Sequence, residues 1–446
     1  MSIEEKPLRF ASVLSLAGVA GLISLQSQGP LRAENPMIGN HRAVYDAGGL
    51  LVPWTSWTDA LEREMNWYQK CPSENGYPRF VFTTFMDGNY QPQEDASFIP
   101  AMQNGVGIIS YLKYAAWSAE KTGKKNPKYV EFARYMGDYI VKESLTPDTG
   151  KYPRFPHSTG TRAKFPQPAD SGSQGDHPYE IEPDKGAIAD YALVLLFDET
   201  KDRKYLDQAL RDARTLVANM RPGDAHQSPW PFRVDYRTGE ARGPVAANMS
   251  FNLRLFDILI DHGYAEFSEP RAKLWAWIKN FQLPALKDGS LWVQFFEDHQ
   301  EPDNRNAWSP LNLARYLIEK QTALEPDWQK DAQALIEFTI RHFTNIQSGV
   351  PVCGEQTYDK EPWGGILSSY GAVLAMYTKA TGSDEYKSLA SQALNYVIYA
   401  TNDDGCPREN ALATGRGGWQ EDAHTDKIHN FVDAMRAFPE WGSRRK

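Results

Sequence analysis

Two short segments concentrate the residue types that move protons. Tyr179 to Gly186 carries Glu180, Glu182 and Asp184 at alternate positions, and Trp419 to Asp426 carries Glu421, Asp422, His424 and Asp426. General acid and base catalysis needs two such groups in different surroundings, one holding its proton and one without it. Glu182, Asp184, Asp422 and His424 are therefore candidate catalytic residues, and Glu355, within Cys353 to Tyr358, is a further partner carboxylate. Each has a plainer reading. Asp184 and Asp426 stand where helix N-caps stand, and Glu355 fits a solvated loop acid. Asp422, His424 and Asp426 alternate as metal ligands can, but a fourth ligand is missing nearby, so neither a metal nor another cofactor is expected.

Groups that would hold a ligand are plentiful. The chain has 13 Trp, 22 Tyr and 20 Phe, more flat apolar surface than a core needs, and sugar-binding clefts are a common use of such rings. Trp230, Trp292, Trp308, Trp363 and Trp419 are candidate stacking faces. Arg79, Arg154, Arg233 and Arg408 are candidate forks for carboxylates. The competing role is structural, with Trp plugging the interior and Arg tying loops to acids. Asn248, Met249 and Ser250 form a glycosylation sequon placed where a helix should start, which favours a structural role for Asn248.

Other chemistries lose support. Asp and Glu outnumber Lys and Arg by 57 to 48, against nucleic-acid binding. Phosphate-loop, dinucleotide-fold, zinc-protease and Cys-x-x-Cys motifs are all missing from the sequence. Cys71, Cys353 and Cys406 make an odd count, which allows one bridge but no disulfide framework.

The elements that must carry these residues repeat. Thr122 to Tyr129 with Ala133, Thr200 to Tyr205 with Ala209, and Thr381 to Tyr386 with Ala390 each read as a turn followed by Tyr-x-x-x-Ala. The turn ends one helix and opens the next, so the unit is a helical hairpin. Helices apolar on all sides should open near Gly105, Gly186, Asn248, Ser309, Gly365 and Asp426, with a period of about 60 residues. Half-exposed helices should run over 57–70, 126–143, 201–220, 268–281, 327–345 and 384–400. In 201–220, Asp207, Gln208, Arg211, Asp212 and Arg214 fall on the expected solvent face. If the last inner helix packs on the first outer one, twelve helices close into six hairpins around an axis. Residues 36–446 are then a single all-α domain. Ahead of it, the apolar run Val13 to Leu25 in residues 1–35 has the length of a signal-peptide core, which favours export over a flexible arm or an anchor. No other membrane segment is expected.

The loops repeat as well, as Gly76-Tyr77-Pro78-Arg79, Gly150 to Arg154, Asp288-Gly289-Ser290, Gly349-Val350-Pro351 and Asp404 to Arg408. With the hairpin turns, these residues resemble the (α/α)6-toroid, six-hairpin glycosidase-like superfamily over roughly residues 55 to 440. The resemblance implies an active site at the N-terminal ends of the inner helices and a carbohydrate substrate. It implies cleavage of glycosidic bonds in a uronate-bearing glycan by a carboxylate pair. β-Elimination with His424, Tyr179 or Tyr358 as base is the alternative, and a non-catalytic glycan-binding toroid is another. One departure from the toroidal lyases is Gln103-Asn104-Gly105, which stands where they carry an acidic motif.

Overall fold

A computed structural model describes residues 35–92, 97–158, 160–161, 179–295, 301–413 and 415–443. The apolar run Val13 to Leu25 lies outside them, and no described helix is long and apolar enough to cross a membrane. Residues from Met37 onward form one compact unit.

Twelve helices dominate that unit: α1 (Trp57–Tyr68), α2 (Pro100–Thr122), α3 (Pro127–Glu143), α4 (Pro183–Thr200), α5 (Arg203–Ala218) and α6 (Ser250–Asp261), then α7 (Ser268–Trp277), α8 (Trp308–Lys320), α9 (Trp328–Phe343), α10 (Gly364–Thr381), α11 (Lys387–Ile398) and α12 (Asp426–Ala437). The even helices contact one another in the order α2, α4, α6, α8, α10, α12 and back to α2, a closed inner ring. From α2 onward, each packs against the odd helix that follows it or against its ring neighbours. The architecture is the all-α (α/α)6 toroid that the hairpin repeat predicts.

Composition explains the layering. α10 carries one charge, Lys379, near its end, and almost every residue before it is buried. In α5, Asp207, Arg211 and Arg214 face solvent as the helical period requires. Asp212 and Gln208 do not. Both are buried, Gln208 donates to Asp212 at 2.7 Å, and Asp212 meets Asp190 of α4. Burial lifts both carboxyl groups, that of Asp212 to about 7, so a proton can be shared between them.

Two boundaries differ from the sequence reading. α2 opens at Pro100, five residues before Gly105, because proline suits the first helical position. Gly105 serves a close crossing instead: a methyl there would lie 3.1 Å from Ala189 Cα on α4. α7 ends at Trp277 and widens into a π-turn over Ile278–Gln282, where the Gln282 amide turns in to the Ala247 carbonyl. All three cysteines are free.

Short strands tie successive loops at the N-terminal ends of the inner helices. Glu180–Ile181 pairs with Val234 and Asp235 in the strand Arg233–Asp235, which also pairs with Ala241–Arg242. Gly417–Trp419 pairs with Phe85–Asp87. The inner ring closes by packing of α12 on α2, and Glu64 of α1 fastens the first outer helix to that seam. The fully buried Glu64 carboxylate accepts from His424 Nδ1 at 2.8 Å and is ion-paired with Lys427 of α12.

Removing one member of this buried pair leaves the other charge uncompensated. Glu64→Gln should cost about 3–5 kcal/mol in urea unfolding at neutral pH. Adding Lys427→Met to it should recover most of the loss. Equal stability of Glu64→Gln and the wild type would show that the seam does not depend on this contact.

Candidate active site

The inner helices begin with little capping. On α2, α4, α6 and α10 the N-cap side chain makes no capping bond, on α8 Asn306 accepts from the Ser309 N–H at 2.8 Å, and Ser56, Asn126 and Asp202 cap the outer helices α1, α3 and α5. The positive ends of the inner-helix dipoles gather at one rim, which favours anionic or oxygen-rich groups. The capping reading of Asp184 and Asp426 fails on this point. The N-cap residues are Glu182 and Thr425, and neither side chain makes a capping bond.

On the α4 side the three-stranded sheet brings Glu182 and Arg233 together. Glu182 is fully buried between Lys185 Nζ at 2.6 Å and Arg233 Nε at 3.4 Å, and its backbone N–H donates to Ser158. Lys185 also donates to the Phe295 carbonyl at 2.8 Å and lies 4.5 Å from the centre of that ring. Asp184, one residue into the helix, is fully buried and neither oxygen makes a well-formed hydrogen bond. Burial raises its pKa to about 6 against the pull of Lys185, of Asn248 and of the N–H groups of its own turn.

On the α12 side the key acid is Asp426. A π-turn over Glu421–Thr425 runs straight into α12, so Asp426 lies inside continuous helix and turns inward. The Trp308 indole donates to Oδ2 at 2.9 Å, Oδ1 has no partner, and burial raises the pKa to about 7. Trp308 is itself stacked between Phe295 (4.7 Å, 13°) and Phe251 (5.6 Å, 16°). One aromatic layer thus connects Lys185 beside Glu182 and Asp184 to Asp426 across the ring. The sequence reading gave Asp426 only a capping or metal role. The available signal was the spacing of Asp422, Asp426 and Asn430, which puts all three on one helical face.

The same level holds buried polar groups without protein partners. They include both side-chain atoms of Asn104 and of Asn252, the Asn306 amide nitrogen and the Ser309 hydroxyl. Each such group costs about 1–3 kcal/mol when unsatisfied, so a run of them marks a place built to meet something polar.

The remaining predicted residues divide. Glu355 is at this level: its carbonyl receives the Ala307 N–H at the foot of α8, and its carboxylate accepts from Gln356 at 3.0 Å. Asp422 is half-buried and adjoins Gly365 at the start of α10, beside Asp426. His424 has no ring nitrogen to spare. Nδ1 meets Glu64, Nε2 meets the Tyr111 hydroxyl at 2.9 Å, and Tyr68 stacks on the ring at 3.5 Å. Its place is in the closure of the ring, between α1 and α12.

Trp230 and Trp292 are fully buried wedges whose indoles donate to the Leu216 and Gln282 carbonyls within their own hairpins. Trp363, half-buried, donates to Asp359, and Trp419 is paired in the strand against Phe85. Arg79 is held by Glu74 and the Tyr90 carbonyl, Arg154 lies in a left-handed turn, and Arg408 ties the Ala413 carbonyl and Asn402. Of the predicted binding residues, Arg233 and Trp308 are the two that meet the acids.

The raised carboxyl groups make stability depend on pH. Asp426 keeps its proton to about pH 7 when folded but releases it near 3.8 when unfolded, so its favourable contribution is complete at low pH and is lost as pH rises through 7. Asp426→Asn, which keeps an acceptor for Trp308, should match the wild type near pH 4 and exceed it by a few kcal/mol at pH 8. Thermal unfolding at the two pH values checks this, and a constant difference would mean that the carboxyl is not desolvated.

No family model matches the chain, and no curated protein matches its sequence. Solved structures do. The cellobiose 2-epimerase of Spirochaeta thermophila superposes with a TM-score of 0.61 at 13% identity, covering 85% of this chain and 96% of that one. A D-mannose isomerase gives 0.57 at 11% identity, covering 86% and 96%. A family 76 glycoside hydrolase from a bovine Bacteroides thetaiotaomicron strain gives 0.54 at 10%, covering 88% and 83%. These are carbohydrate-active enzymes, and at such identities the likeness is one of fold. The chain folds as an (α/α)6 toroid, the architecture of the six-hairpin glycosidase-like enzymes.

Proposed function

We propose that this protein is a carbohydrate-active enzyme that hydrolyses glycosidic bonds at the N-terminal rim of the inner ring. The observation that carries the reading is the axial layer. It combines two desolvated carboxyl groups, a stacked Trp and unpartnered buried amides, which together suit a polyhydroxylated ring rather than an apolar ligand.

In this reading Asp426, whose carboxyl pKa is raised to about 7 and so keeps a substantial protonated fraction at neutral pH, donates to the leaving glycosidic oxygen through Oδ1, the atom that Trp308 leaves open. Asp184, with the lower pKa, is ionised at the same pH and serves as base or nucleophile. Trp308, held between Phe295 and Phe251, fixes the Asp426 carboxyl. Glu182 orients Lys185 and Arg233, and Arg233 is the cation placed to meet a uronate carboxylate. Elimination is less well supported, since His424 has both nitrogens engaged and Tyr358 is exposed and bonded to Asp303.

A panel of neutral and uronate-bearing oligosaccharides, read by new reducing ends, ultraviolet absorbance and proton exchange at sugar carbons, tests the class of reaction. The expected result is reducing ends without new absorbance. The rate should fall below pH about 6 as Asp184 gains a proton and above about 7 as Asp426 loses its own. Asp184→Asn and Asp426→Asn should each lower kcat by at least ~10²-fold in folded protein and remove one limb of that profile. Sugar binding with no turnover on any substrate would overturn the enzymatic reading. Carbon-bound proton exchange without cleavage would replace hydrolysis by epimerisation.

A further inference from the structure

The inner ring holds a cavity on the side of Trp308 away from Asp426. It encloses about 500 Å³ along the axis and opens between the C-terminal ends of the inner helices, where Asp198, Glu199 and Glu319 line its mouth. Its floor is the Trp308 and Phe251 pair, and its walls include Val106, Ile109 and Leu195. A volume of this size holds a small organic molecule.

The polar groups inside are almost all donors. Arg254 gives Nη1 to Glu319, while its Nε and Nη2, buried, make no well-formed hydrogen bond; the Tyr191 hydroxyl is the polar group that interacts with this guanidinium. Arg315 binds Asp433 and Asn430 and leaves Nε unpaired. Arg315 Nη1 also lies 3.3 Å from His429 Nδ1. A guanidinium can only donate, so Nδ1 must accept and the ring proton sits on Nε2. Burial and the cations Arg315, Lys113 and Arg254 keep this imidazole neutral. Lys113, Arg254 and Arg315 face two inner carboxylates, Asp433 and Glu319, which leaves one positive charge in excess. Outside, Glu199 and Asp198 have their own partners, Lys125 for Glu199 and His262 and Lys201 for Asp198.

We infer that this cavity is a binding site for a small carboxylate-bearing molecule with a flat or ring-shaped body, the carboxylate meeting Arg254, Arg315 and His429 and the body lying on the Trp308 and Phe251 faces. The excess charge and the unpaired donors select an anion. The aromatic floor selects a ligand that can stack, such as a sugar acid. This site shares no acid with the catalytic reading above and stands or falls independently of it.

Calorimetric titration of the full chain with D-glucuronate, and with D-glucose as the uncharged counterpart, tests the assignment. One equivalent of glucuronate should bind and glucose should not. Arg254→Gln should weaken binding at least tenfold. Leu195→Trp, which fills the cavity from its wall and removes no charge, should weaken it at least as much while leaving the circular dichroism spectrum and any glycan turnover unchanged. Absence of glucuronate binding to wild-type protein would overturn the proposal. So would binding that survives Leu195→Trp but is lost in Asp184→Asn or Asp426→Asn, since it would then belong to the N-terminal rim.

Discussion

A carboxylate out of reach of water fastens the first outer helix to the seam of the ring. Glu64 belongs to the first outer helix and its partners to the last inner one, so their pairing joins the two ends of a chain of hairpins. Taking three ionisable groups out of water is costly, and apolar packing could fill the same space at less cost. What the ionic arrangement supplies is register, because a charge network of this shape satisfies its members in one alignment of α1 on α12. Trp57 strengthens the same seam by packing on Phe431 and donating to Asn395.

With the ring closed, the inner helices are parallel and equivalent, and their ends become functional surfaces. The N-terminal rim places carboxyl groups where burial works against ionisation and helix dipoles work for it. At Asp184 and Asp426 burial wins, which leaves acids that titrate near neutrality. The cavity on the opposite side is lined by Lys113, Arg254 and Arg315. Trp308 separates the two regions: its edge holds Asp426 while its face floors the cavity.

Helical hairpins were legible because apolar periodicity and turn residues are local signals. The inner and outer assignments follow from whether α10 or α5 can afford a solvent face. Sites were read less well. Glu182, Asp184, Trp308 and Arg233 were found because the loops leading into inner helices must converge. Asp426 was passed over because the π-turn before α12, which moves the helix start away from it, has no sequence signature. His424 looked catalytic because nothing in the sequence announces that Glu64, 360 residues away, occupies its ring. Trp230 and Trp292 were misjudged for a similar reason, since an indole in a hairpin wedge and an indole in a cleft are alike until packing is known. Asp212 likewise fits an exposed helix face until Asp190 is seen across from it.

The same seam has a bearing on how the protein is made. α1 is made before every other described helix, and its partner His424 follows 360 residues after Glu64. Until His424 and Lys427 arrive, the carboxylate of Glu64 stays hydrated and α1 has only α11 and the intervening loops to pack against, themselves late to appear. The middle hairpins, whose contacts are local, can form early, while the seam waits on a very long loop closure. An unsealed ring exposes the apolar flanks of α2 and α12, so the interval between the first hairpin and the last is the period in which the nascent chain is most open to aggregation and to capture by chaperones.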